Sequence, residues 1–210
     1  GGVIWPLLGG FLGTFSWHFP FGIYLVGIPL SVLGLIFIPE VKKKYIGGIR
    51  GVSLLNVFKS NNVILAIYGL IFLAGILLTV QIIFLPPFLE MVGVSSPFLI
   101  SLFISLVGIF SGSTALLFGK IKSKISYKTI VLISLGLHTV EFAILSQTSS
   151  LYLIVGAVAL SGISLGLVAP TFILWDSELA PPQFRGRIVS YIGTSVFVGE
   201  FVTPTFLLLC

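Results

Sequence analysis

Four side chains in the 210-residue sequence place a titratable or amide group inside a long apolar stretch: Gln81, His138, Glu141 and Glu200. His138 and Glu141 are three apart, so a helix puts them on one face, and an imidazole that titrates near neutrality beside a carboxylate makes a proton-relay pair. The other reading is a satisfied interhelical or interfacial pair, since Glu141 stands shortly before the polar turn Gln147-Thr148-Ser149-Ser150 and can reach water there. Glu200 follows Arg187 by about 13 residues, some ~20 Å along a helix. It is expected to bind a proton or a cationic solute, or to sit neutral and hydrogen-bonded between helices. Gln81, with Thr79 nearby, offers an amide for hydrogen bonding a solute or for bridging helices. Ser161 and Ser164, with Gly162 and Gly166, form a small-residue face suited to close helix packing. Asp176 and Glu178 are expected in a loop beside Arg185 and Arg187, as a solvated or gate-closing ion pair. A single Cys and the lack of any Cys/His cluster at ligand spacing give no expectation of an internal disulfide, a metal or a cofactor.

The elements that must carry these residues follow from where charge is missing. Charged side chains make up 8% of the sequence against roughly 25% in an ordinary globular domain. A soluble domain is therefore excluded. Residues 60–89, 91–119 and 142–175 carry no charge at all, and about 20 apolar residues suffice to cross a hydrocarbon core of ~30 Å. The pattern predicts an all-α polytopic membrane protein: the end of one span at about 1–12, whole spans at about 21–38, 63–88, 97–118, 129–146, 151–174 and 188–208, and a polar linker near 39–62. Within the linker, Val52, Leu54, Leu55, Val57 and Phe58 can share one face of a short helix lying on the membrane surface. The start without Met and the apolar end at Cys210 are expected to mark part of a longer chain, with a last helix absent.

Successive spans alternate in direction, which places loops 39–62, 119–128 and 175–187 on one side and 13–20, 89–96 and 147–150 on the other. All eleven Lys and Arg fall in the first set. Short loops rich in Lys and Arg mark the cytoplasmic face, so that set is expected to be cytoplasmic in a multi-pass protein of the cell membrane. The net charge of +5 then records orientation in a lipid bilayer, and a nucleic-acid partner is not expected.

Gly1, Trp5-Pro6 and Gly9-Gly10 are spaced so that helix backbones can approach closely, and Gly199 with Thr203-Pro204 repeats part of that spacing near the far end. In order along the chain there follow Trp17-His18, the Lys-rich linker, Pro86-Pro87-Phe88-Leu89-Glu90, the stretch from Gly119 through Lys124 to Lys128, and Pro181-Pro182-Gln183-Phe184-Arg185-Gly186-Arg187. With these motifs the whole sequence resembles the major facilitator superfamily of secondary transporters, from late helix five to helix eleven. The first motif resembles the superfamily's antiporter motif with Trp5 for a Gly. The Gly119–Lys128 stretch stands where its cytoplasmic motif falls, with Ser123 for the Asp, Ser126 for the second Gly and Tyr127 for a basic residue.

The resemblance implies an incomplete helical bundle of the major facilitator type. Residues 1–38 would end an N-terminal half, 39–62 would link, and 63–210 would hold helices seven to eleven. It implies a secondary active transporter that moves a small-molecule substrate by alternating access, coupled to protons, with a lean to drug-type efflux antiport. Gln81 and Glu200 would face the cavity, His138 and Glu141 would lie on a peripheral helix, and Gly1, Pro6, Gly9, Gly10, Gly199, Pro204, Gly119 and Lys124 would carry conformational motifs. A polytopic membrane enzyme or scaffold is the alternative, though no carboxylate pair or His/Ser/Asp set is spaced to act on facing helices.

Overall fold

The computed structural model describes residues 2–39, 62–182 and 184–207. Gly1 and the expected surface helix of the linker lie outside the described residues. Eight α-helices and no strand occur among the described residues: α1 (Ile4–Gly13), α2 (Phe19–Gly22), α3 (Gly27–Phe37), α4 (Asn62–Met91), α5 (Pro97–Lys122), α6 (Tyr127–Leu145), α7 (Leu151–Leu179) and α8 (Arg185–Leu207). A 3₁₀ turn, Ile23–Val26, joins α2 to α3. The expected spans are helical, with 21–38 assembled from α2, the 3₁₀ turn and α3, and five stretches, Phe19–Phe37 and α4 to α7, are long and apolar enough to cross a bilayer, whereas α8 is not among them.

The helices overrun the apolar stretches that predict them. At ~1.5 Å per residue, α4 is about 45 Å long, which exceeds a ~30 Å hydrocarbon core unless the helix tilts or projects. The loops shrink accordingly. Lys120 and Lys122 belong to the last turn of α5, next to its negative dipole end, and Asp176 and Glu178 belong to α7.

Local chemistry fixes the ends. Beyond α4, Gly93 adopts φ +94°, a conformation that a Cβ makes costly. There the Val94 N–H donates to the Leu89 carbonyl at 2.9 Å and the Gly93 N–H to the Glu90 carbonyl at 3.0 Å. This is the Schellman arrangement, and the apolar pair that accompanies it, Leu89 and Val94, is buried in one cluster. Pro97 opens α5, where its missing N–H costs nothing. The Ser126 side chain caps α6 by accepting from the Thr129 N–H. Pro86 and Pro87 sit inside α4, as membrane helices tolerate.

In lipid the hydrophobic effect does not press helices together, so backbone approach and dispersion carry the packing. The small residues sit where this demands. A Cβ on Gly75 of α4 would stand 2.5 Å from the Val196 carbonyl oxygen of α8, and Gly199 of α8 presses in return on Phe72 and Ile76 of α4. Gly162 and Gly166 of α7 bear on Phe110, Ser111 and Thr114 of α5. Ser164 donates to the Ser134 carbonyl of α6 at 2.9 Å. The seam between α1 and α5 is built the same way: Gly2 meets Gly108, Gly10 meets Ser101, and Ser105 donates to the Val3 carbonyl at 3.1 Å. Helix α7 thus contacts α5, α6 and α8, and α4 pairs with α8.

Candidate functional site

The buried side of α4 carries Ile64, Ile67, Ile71, Gly75, Gln81, Leu85 and Leu89, recurring at helical spacing, and Gln81 is the polar member of the stripe. Its amide is fixed by Ser161 of α7, whose hydroxyl donates to Gln81 Oε1 at 2.6 Å. Gln81 Nε2 has no hydrogen-bond partner among the described residues. Beside it lies a cavity of about 320 Å³ bounded by Gly2 and Pro6 at α1, by Leu78, Ile82 and Leu85 of α4, by Ile104 and Ser111 of α5, and by Leu165 of α7. Burying an amide without a partner costs ~1–3 kcal/mol, so a group that accepts its free N–H is favoured here. Among the described residues, no charged side chain lines the cavity. A larger hollow of about 670 Å³ lies between α1 and the Pro20–Leu30 region. Its walls are mostly apolar and partly exposed, no polar side chains converge on it, and the Gln81 cavity is the better candidate.

His138 and Glu141 do meet, at 2.8 Å from Nδ1 to Oε2. The expectation that Glu141 reaches water is corrected: it is 0% exposed and His138 is 5% exposed, because α6 packs along α7 over its length. Glu141 Oε1 has no partner among the described residues. The pair stands apart from the Gln81 cavity, whose lining includes no α6 residue. Glu200 is half-buried on α8, one residue from the Gly199 contact with α4, and does not line that cavity either.

The motif residues divide by contact. Gly10 and Gly199 are at helix crossings, whereas a Cβ on Gly9 or Gly119 would meet nothing within 4 Å. Pro6 borders the Gln81 cavity, Pro204 is exposed within α8 and Lys124 is exposed in the turn after α5. Trp5 points into the larger hollow, which leaves the α1 face toward α5 to glycine.

The expected pairing of Asp176 and Glu178 with Arg185 and Arg187 is corrected. Both acids are helical, and His138 with Glu141 is the one salt bridge among the described residues. Arg185 Nε donates to the Ala180 carbonyl at 3.4 Å. Glu178 accepts from the Tyr127 hydroxyl at 2.7 Å. The Tyr127 ring stacks on Trp175, with centroids 5.6 Å apart and an angle of 12°, and Lys122 Nζ lies 3.9 Å from its centroid. Where the family motif has a basic residue, this chain ties α5, α6 and α7 together through one tyrosine. The charge-for-aromatic exchange at Tyr127 was visible in the sequence, but its partners Trp175 and Glu178, some fifty residues away, were not.

Long apolar helices that cross through glycine contacts around a small internal cavity define a polytopic membrane protein. The chain belongs to the Major Facilitator Superfamily, whose family model matches residues 1–204. Membership makes it a secondary transporter in general terms, as the resemblance implied. No curated protein sequence matches the chain.

Proposed function

We propose that this transporter works by alternating access, with a small, neutral, largely apolar solute held against Gln81. The observation that supports the reading is the position of the cavity. One wall comes from α1, before the linker, and the others come from α4, α5 and α7, after it. A site between two groups of helices is what a rocking mechanism needs, because each movement then changes the side from which the site is reached. The apolar lining disfavours a charged solute, which would have to shed its hydration without a partner.

In this reading residues 1–38 end one half, 39–62 link the halves and 63–210 belong to the other, with the Lys- and Arg-bearing loops facing the cytoplasm. The α1/α5 seam then closes the outer end. Protons drive the cycle through Glu200, a half-buried carboxylate on α8, and exchange of solute for protons is the direction favoured by the Gly-rich α1. The test is transport by the full chain in proteoliposomes with an imposed pH gradient. Glu200→Gln should keep solute exchange between equal compartments while losing uphill movement by more than tenfold. Unchanged gradient-driven flux in that variant would remove Glu200 from the coupling role.

A further inference from the structure

Asp176 has no role in the cavity or in the proposed coupling, yet it is the most unusual acid in the molecule. It is 0% exposed, and neither carboxylate oxygen has a hydrogen-bond partner among the described residues. Phe172 and Ala180, one turn away on either side, are also buried. It follows Leu151 by about 25 residues, or ~38 Å of helix, at the end of the bundle where α4, α7 and α8 converge.

The titratable and charged groups on the elements that pack against α7 near its end are these. From α4 comes the Tyr68 hydroxyl, which donates to the Ile188 carbonyl at 2.8 Å and lies beside the Asp176 carboxyl. From α8 come Tyr191, which lies near Tyr68, and Arg185 and Arg187, neither of which forms an ion pair with it. From α6 come Tyr127, committed to Glu178, and Lys128, exposed and unpaired with Asp176. On α7 itself stands Glu178, a second acid. Among the described residues no cation pairs with the carboxylate, and the last turn of a helix is the negative end of its dipole.

An ionised carboxylate in such surroundings would face a desolvation cost of several kcal/mol without return, and the usual outcome is neutralisation. A hard metal ion needs about six oxygen ligands, far more than one carboxylate and one phenol provide. A proton needs none beyond the carboxyl. We propose that Asp176 is a proton-binding site, and that the packing of α4, α7 and α8 at this end of the bundle depends on the proton it holds. Folding therefore takes up a proton here, and stability from this site is lost as pH rises above the ordinary Asp range. The site stands whether or not Glu200 couples transport, because its test reads folding and protonation, not flux.

The test compares the purified full chain with Asp176→Asn, which mimics the neutral acid, by thermal unfolding from about pH 5 to pH 10 in sodium, potassium and N-methylglucamine buffers. The expected result is an Asn variant at least as stable as wild type, with an advantage that grows by several degrees as pH rises and is the same in every buffer. Infrared spectra should show a carboxylic-acid C=O band in wild type at neutral pH that the Asn variant lacks. An Asn variant that fails to fold or is less stable throughout, an advantage that does not change with pH, an advantage that follows the cation, or matching spectra would each overturn the proposal.

Discussion

At the scale of single residues, polar groups are few, and their surroundings separate their roles. Gln81 and Ser161 bond across 80 positions of sequence, and the hydroxyl decides which end of the amide is left free. Gln81→Leu removes the free donor, and we expect solute affinity to fall about five- to tenfold, the equivalent of one neutral hydrogen bond at ~1–1.5 kcal/mol. Ser161→Ala should lower affinity by a smaller factor, because the amide is still present but no longer held. Equilibrium binding to both variants checks this order, and an Ala effect as large as the Leu effect would show that Ser161 does more than orient. Gln81 and the His138/Glu141 pair were legible because each interrupts an apolar run. Asp176 was not: a charge near the end of a span reads as loop, and burial by three converging helices is a long-range property that no local pattern records.

At the scale of elements, the crossing of α4 and α8 rests on two glycines facing each other's backbone. Gly75→Leu or Gly199→Leu puts a side chain where a carbonyl or helix backbone already stands. Overpacking of this kind costs ~1–3 kcal/mol, and the midpoint of thermal unfolding should fall for each. Gly9→Leu and Gly119→Leu, where a Cβ meets nothing within 4 Å, should leave the midpoint within error of wild type. The sequence motifs flagged Gly9, Gly119 and Gly199 but not Gly75, so the sequence located small-residue motifs without saying which members make contact or where the partner glycine lies. Span positions were read well because hydropathy and loop lysines mark them directly. Helix ends were not, since α5 and α7 run on past their apolar stretches into Lys120, Lys122, Asp176 and Glu178. Those residues keep helical hydrogen bonding at the water interface, where apolarity no longer reports on structure. The Tyr127 link between α6 and α7 is a further case. Tyr127→Phe removes one bond to a carboxylate at an accessible site, and a loss of about 1 kcal/mol in unfolding free energy is expected.

At the scale of the whole molecule, the family places the chain among secondary transporters, and the account built on it turns on one seam. Helix α1 and helix α5 meet at Gly2/Gly108 and Gly10/Ser101, with the rings of Phe11 and Phe98 in edge contact at 6.4 Å. A seam closed by glycine and serine, with one backbone-directed hydrogen bond from Ser105, has little to break when it parts. That suits the proposed mechanism, in which this seam opens and closes beside the Gln81 cavity. The most direct measurement is the distance between spin labels at Phe11→Cys and Phe98→Cys in the otherwise cysteine-free full chain, reconstituted in liposomes and read by pulsed electron resonance at several pH values. Alternating access predicts two distance populations, one matching the closed seam and one longer by many ångströms, with proportions that shift with pH. A single short distance under every condition would contradict it.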